Sequence, residues 1–341
     1  MKIGVLTSGG DCPGLNAVIR GIVRKGIRSH DSSFVGIRDG WRGLLEDDMF
    51  DMSMIDVRGL SGRGGTILGT SRTHPYEGGG PDRMREVMSS HGIDAIIAIG
   101  GEGTLAGASR LVTEEGLNII GVPKTIDNDL SGTDYTFGFD SAQAIATESI
   151  DRLRTTAESH HRCMVIEVMG RNVGWIALHA GMAGGAHAIL MPEFPVSFDQ
   201  IEDWVISARD RGRAPIVVVA EGFIPEGFDE QVADRGVDNK GRTRLGGIAD
   251  FLAPKIEEIT GIESRATTLG HLQRGGSPTA YDRVLSTRLG MAAADLAQNG
   301  HWGKMASLKG TEIVSVDMAS AVDRLKTVPL QRWNEAQILF G

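Results

Sequence analysis

The sequence predicts an α/β protein built from two Rossmann-like three-layer α/β/α domains with largely parallel sheets. Three observations carry that prediction. The apolar run at 95–99 is continuous rather than alternating, as strands buried on both faces require, and 119–122, 163–168 and 215–220 supply further apolar strands. Stretches of helical periodicity lie between the strand candidates, the order that crossover connections impose. Many of the 47 glycines fall in pairs, such as 9–10, 64–65, 100–101, 184–185 and 275–276, where a backbone can approach a ligand or adopt positive φ.

A chain of 341 residues, 41% hydrophobic and 23% charged, is long enough for two such domains. Residues 2–7 form the first strand, 8–14 a glycine-rich loop and 16–26 a helix, with a second strand at 33–37. Residues 38–65 read as turns around Trp41. A helix over 82–90 leads into the strand 95–99, and a helix over 104–115 leads into the strand 118–122. A long helix over 141–158 precedes the strand 163–168. Residues 186–191, 215–220 and 266–269 supply further strands, and 282–297 returns to helix. The expected domains are 1–139, 140–290 and a C-terminal helical return to the first over 291–341.

Composition excludes several classes. A net charge of −9 argues against general nucleic-acid affinity, and no apolar run reaches the length of a membrane span. Met1-Lys2-Ile3-Gly4-Val5-Leu6 enters a strand directly, so no signal peptide is expected and a cytoplasmic location is. Cys12 and Cys163 provide neither a disulfide framework nor a Cys-rich metal site.

The chemistry concentrates in Pro123-Lys124-Thr125-Ile126-Asp127-Asn128-Asp129, just past an apolar strand. Ligands of open α/β sheets bind at such strand ends. Asp127 and Asp129 can divide phosphoryl transfer, one taking a proton from the acceptor hydroxyl and one helping to hold Mg²⁺. The competing reading is a polar turn with an Asx cap. Ser8-Gly9-Gly10-Asp11-Cys12-Pro13-Gly14 stands between a strand and a helix, as a phosphate loop or a structural turn. It matches neither the Walker A nor the dinucleotide pattern. Gly100-Gly101-Glu102-Gly103-Thr104 repeats the arrangement: Glu102 can reach Mg²⁺, and Thr104 can bind phosphate or cap its helix. Gly64 to Arg72 ends in a side chain suited to a phosphate oxygen. Arg162, Arg171, Arg265, His271 and Arg274 stand beside strand ends or compact turns, as anion ligands or solvated charge.

Taken in order, Gly9 to Asn16, Gly100 to Thr104, Pro123 to Asp129, Met169-Gly170-Arg171 and Leu269 to Gly276 resemble the ATP-dependent 6-phosphofructokinase family over residues 1–330, with some features of its pyrophosphate-dependent branch. The resemblance implies a phosphofructokinase-like fold with a nucleotide/phosphate-binding first domain and a sugar-phosphate-binding second. It implies transfer of the γ-phosphate of Mg-ATP to the 1-hydroxyl of fructose 6-phosphate, in glycolysis. Asp127 matches the general base, Thr125, Arg171 and the Gly10 backbone surround the transferring group, and Glu102 and Asp129 serve Mg²⁺. Gly10, Trp41, Arg72, Gly101, Glu102, Gly103 and Thr104 fall on the nucleotide side, where Trp41 either stacks on adenine or packs as an ordinary aromatic. Thr125, Asp127, Arg162, Met169, Gly170, Arg171, Glu221, Arg265, His271 and Arg274 match sugar-phosphate positions. Arg162 and Arg265 would reach a neighbouring subunit's substrate, which implies a homotetramer.

Departures bear on the donor. The usual ATP form has Asp at Glu102 and Gly at Lys124, and Lys124 resembles the pyrophosphate branch. That branch generally carries Asp at Gly103, where a carboxylate would crowd and repel the ATP α-phosphate. Gly103 therefore sets the expectation at ATP, with pyrophosphate as the alternative. Arg154, Arg211 and Arg213 resemble parts of an allosteric effector site, from whose common contacts Gly21 and His187 depart. A noncatalytic sugar-phosphate- or nucleotide-sensing subunit is the reading from a different class. A dehydrogenase reading would rest on Rossmann-like order alone.

Overall fold

Burial follows the apolar runs closely in the computed structural model, which describes residues 1–228, 236 and 245–341. The strands are β1 (Lys2–Ser8), β2 (Ser33–Ile37), β3 (Met49–Met52), β4 (Ala95–Gly100), β5 (Ile119–Pro123), β6 (Cys163–Val168), β7 (Ala188–Leu190), β8 (Ile216–Ala220), β9 (Ser264–Thr268), β10 (Lys304–Lys309) and β11 (Glu312–Asp317). Between them run α1 (Leu15–His30), α2 (Trp41–Glu46), α3 (Gly80–His91), α4 (Glu102–Thr113), α5 (Phe139–His160), α6 (Trp175–Ala183), α7 (Phe198–Asp210), α8 (Ile248–Thr260) and α9 (Ala280–Gln298). The chain closes with α10 (Met318–Val322) and α11 (Leu330–Gln337).

Two units result. The first holds Met1–Ser141 and Arg274–Leu325, the second Ala142–Gln273 and Lys326–Gly341. The first unit's sheet runs β11-β10-β5-β4-β1-β2-β3, parallel from β10 to β2 and antiparallel at both edges. The second unit's sheet is parallel throughout, in the order β7-β8-β6-β9. This is the predicted fold class. β4, β5, β6 and β8 are buried at every position, which explains apolar sequences that are unbroken but for Glu167 in β6.

Sequence periodicity missed what is short. Residues 38–65 contain α2 and β3, whose four residues pair antiparallel with β2. The hairpin β10–β11 also escaped notice. β11 has no buried position, so no hydrophobic signal marks it. In the first unit α1 and α9 pack through glycine: a Cβ on Gly290 would lie 2.4 Å from the Val18 carbonyl oxygen.

One polar residue interrupts the β6 run. Glu167 is 2% exposed, and its carboxylate accepts from Gly247 N at 2.9 Å and Ala249 N at 3.1 Å. It thereby satisfies amide donors at the start of α8 and answers the positive end of that helix. Glu167→Leu should destabilise the second unit by about 2–4 kcal/mol, because these donors would stay buried without an acceptor. Chemical denaturation with a unit-two probe such as Trp204 fluorescence would measure the loss; an unchanged midpoint would exclude the capping role.

Candidate active site

In the first unit the predicted loops gather at the carboxyl ends of β1, β4 and β5, which lie in the sheet order β5-β4-β1. Gly9 adopts φ 84°, turning the loop after β1 back over the strand end. The segment around Gly64 to Arg72 closes against it. Gly9 N donates to the Ser71 carbonyl at 2.9 Å, and Thr70 Oγ1 donates to the Gly9 carbonyl at 2.5 Å. Asn16, at the start of α1, donates to the Arg63 and Gly64 carbonyls and accepts from Ile67 N. Two loops that spacing alone could not join are thus one structure. Arg72 itself is exposed beside it.

Lys124 joins the third loop to the first. Its Nζ donates to the Gly10 carbonyl, and its backbone N donates to the Gly100 carbonyl at 2.9 Å. The side chain is 4% exposed, and burial pushes its pKa down, with Arg274 adding to the effect. Arg274 reaches the same loop, donating to the Asp11 carbonyl at 3.1 Å. A Cβ at Gly10 would lie 2.8 Å from its Nη1, so glycine allows that approach. Gly101 is the N-cap of α4, Glu102 is exposed in its first turn, and Thr104 is buried. Beside Gly103 the space is open, with no described atom within 4 Å of a would-be Cβ.

The acidic loop is held by its own polar atoms. Thr125 Oγ1 accepts from Asp127 N at 3.0 Å, and Asn128 takes the left-handed region at φ 54°. Thr136 fastens the loop from below: its Oγ1 donates to the Thr125 carbonyl at 2.7 Å and its N to Asn128 Oδ1 at 3.1 Å. Asp127 is 6% exposed, and Asp129 Oδ1 is buried with no hydrogen-bond partner among the described residues. Thr136 carries no motif signal and was not singled out from sequence, and Asn128 stood in the acidic motif without a role of its own.

The second unit carries the other predicted set. Gly170 adopts φ 147°, and Arg171 the left-handed region at φ 54°, with Arg171 N donating to Glu221 Oε1 at 3.0 Å. Gln273 Oε1 accepts from Met169 N at 3.4 Å. Arg162 Nε lies 2.9 Å from Glu263 Oε2, and Arg265 pairs with the same Glu263. Glu263, which sequence reasoning missed, therefore brings the two arginines together, and its carboxyl is held low by Arg162 first. His271 is exposed in the 270–274 turn.

Two expectations need correction on structural grounds. Trp41 is 1% exposed and lies in the first unit's apolar cluster, so its ring packs in the core and does not offer a face to adenine. Mg²⁺ at Glu102 and Asp129 lacks a supporting cluster: among the described residues no group of three or more His, Cys, Asp or Glu is gathered to hold a metal ion. Both cysteines are buried, and burial raises each thiol pKa, that of Cys163 to about 12. Neither is a nucleophile at neutral pH. No helix among the described residues is long and apolar enough to cross a membrane.

A family profile described as Phosphofructokinase matches residues 2–297. Pyrophosphate--fructose 6-phosphate 1-phosphotransferase of Amycolatopsis methanolica is 57% identical over 342 residues, covering 100% of both chains. ATP-dependent 6-phosphofructokinase 3 of Streptomyces coelicolor is 52% identical, with the same coverage. The crystal structure of Pichia pastoris phosphofructokinase in the T-state superposes with a TM-score of 0.82 at 33% identity, over 99% of this chain and 36% of that one. The greater similarity to the pyrophosphate-named enzyme overturns the ATP expectation, and with it the assignment as an ATP-dependent 6-phosphofructokinase. The physical error lay in Gly103. Open space there permits a nucleotide but does not require one.

Arg154, Arg211 and Arg213 lie near enough to His187 in the second unit to act on its charge. Its Nδ1 accepts from Ile216 N at 3.1 Å, and burial first, then the three arginines, lower its pKa to about 4. The neutral ring is thus favoured in the folded chain, so its contribution to stability is present above pH 6.5 and lost as pH falls toward about 4. Between those limits wild-type melting temperature should fall more steeply than that of His187→Gln; parallel curves in differential scanning fluorimetry would contradict the assignment.

Proposed function

Because the chain belongs to the phosphofructokinase family, we propose that it transfers a phosphoryl group from pyrophosphate to the 1-hydroxyl of fructose 6-phosphate, giving fructose 1,6-bisphosphate and phosphate. The observation that carries the choice of donor is the full-length 57% identity to an enzyme named for that reaction. Lys124 supports it: a buried ammonium bonded to the Gly10 carbonyl provides positive charge beside the glycine loop. A compact dianionic leaving group is well matched to such a point charge.

In this reading Asp127 takes the proton of the sugar 1-hydroxyl as its oxygen attacks the nearer phosphorus, and the bond to the departing phosphate breaks. Gly10 and Gly101 present backbone, and Lys124, Thr104 and Arg72 side chains, to the donor. Thr125 and Arg171 steady the transferring group as charge develops on its oxygens. Met169, Gly170 and Glu221 hold the sugar, and Arg162, Arg265, His271 and Arg274 its 6-phosphate. Arg162 and Arg265 would serve a neighbouring subunit's substrate in a homotetramer. No further role is assigned to Asp129 or Glu102.

Purified protein should turn over fructose 6-phosphate at least about 100-fold faster with pyrophosphate than with ATP under matched conditions, a discrimination of about 3 kcal/mol. An ATP rate equal to or above the pyrophosphate rate would defeat the proposal, and binding of both sugar and donor with no turnover would favour a sensing subunit. Asp127→Ser should lower kcat by about 10²–10⁴-fold, the usual contribution of a positioned base, with KM for the sugar changed little. Retention of near-normal kcat would remove Asp127 from the mechanism.

A further inference from the structure

The base of the proposed reaction must be held to within fractions of an ångström, and Thr125 and Asn128 are both fastened to Thr136, which lies in a connection without regular structure. What fixes Thr136 is therefore a mechanistic question. The answer lies on α9. Asp282 is fully buried in the first turn of that helix, where Thr279 already supplies the N-cap by accepting from Asp282 N at 3.2 Å. The Asp282 carboxylate is thus free to act outside its own helix. Its Oδ1 accepts from Gly138 N at 3.0 Å, and its Oδ2 from Ser141 N at 2.8 Å and Ser141 Oγ at 2.6 Å. Ser141 Oγ accepts in turn from Thr279 N at 3.0 Å, which ties the starts of α5 and α9 together.

Gly138 stands two residues beyond Thr136, and the segment between them touches both catalytic loops of the first unit. Phe137 bridges to Lys124, and the Phe137 carbonyl faces the Cys12 thiol at 3.7 Å. Gly138 has φ 94°, and a Cβ there would lie 2.5 Å from Cys12 Sγ. The segment has no room to shift without disturbing its neighbours.

We infer that Asp282 is a positioning residue for the phosphoryl transfer: through Gly138 and Ser141 it fixes the segment whose Thr136 holds the Thr125–Asn128 loop in its working geometry. This rests on the proposed function and adds a residue to it. A carboxylate suits the task because it offers acceptors to all three donors, whereas an amide in its place would turn an N–H toward at least one of them. Burial pushes the Asp282 carboxyl up to about 6, so the group is ionised in an assay at pH 8.

Steady-state kinetics with pyrophosphate and fructose 6-phosphate at pH 8 provide the test, on wild type, Asp282→Asn and Ser141→Ala. Asp282→Asn should lower kcat roughly tenfold or more while both KM values stay within about threefold. Ser141→Ala, which keeps the carboxylate and its two backbone donors, should show the same pattern with a drop of about two- to fivefold. A role confined to helix stability would lower the melting temperature and leave kcat at its wild-type value in the folded protein; that outcome overturns the inference. So does a rise in KM with kcat held. Should Asp282→Asn fail to fold, Ser141→Ala decides by the same criteria. A wild type inactive with pyrophosphate would instead sink the functional reading, and the inference with it.

Discussion

The Lys124 ammonium, buried beneath the glycine loop and donating to the Gly10 carbonyl, ties the end of β5 to the end of β1. Desolvating a cation costs several kcal/mol unless partners offset it. Here one carbonyl bonds it directly, and the field of Asp127 and Asp11 favours its charged form against burial and Arg274. The loop conformation depends on that balance. Gly9 with positive φ and Gly10 with Arg274 against its Cα leave little freedom for the backbone between them. A phosphate-binding loop need not be long, but its amides must not reorganise when the anion arrives.

Around that contact the first unit is organised as a set of mutual supports. The segment 64–72 is bonded to the loop after β1, and Thr136 to the loop after β5. None of these supports carries charge, and each uses a hydroxyl, an amide or a backbone group. The economy is physical: neutral donors and acceptors fix geometry without adding fields that would compete with those at the reacting atoms. Buried charge near these loops includes Asp127 and Lys124, with Asp282 deeper in the same unit, and Arg274 reaches the glycine loop beside them.

The sequence was most legible where burial is total. β4, β5 and β8 announce themselves as unbroken apolar runs, and β6 as one broken only by Glu167, because both faces of each strand are covered. β11 was invisible because none of its residues is buried, and β3 because four residues are too few for a period. In the candidate site, the glycine loops and the Asp127/Asp129 pair stood out in the sequence because paired glycines and clustered carboxylates just past apolar runs are conspicuous. The roles of Asn128, Thr136, Glu263 and Asp282 were not legible. Their value lies in bonds to residues that the linear sequence places 8, 11, 2 and 141 or 144 positions away. Even the two-residue spacing of Glu263 and Arg265 gives no hint that Arg162 shares the same carboxylate.

The donor question shows how absence and presence differ as physical arguments. Gly103 suggested ATP because it omits a carboxylate, and the structure leaves the space beside it open. An opening costs the fold almost nothing to keep, so it says little about what enters it. Lys124 is the opposite case. Keeping an ammonium 4% exposed opposes folding, and burial visibly depresses its pKa. A costly group is the stronger pointer to chemistry than a free vacancy. On that ground the residue which departs from the ATP pattern by adding a charge outweighs the one which departs from the pyrophosphate pattern by lacking one, and the sequence similarity falls on the same side.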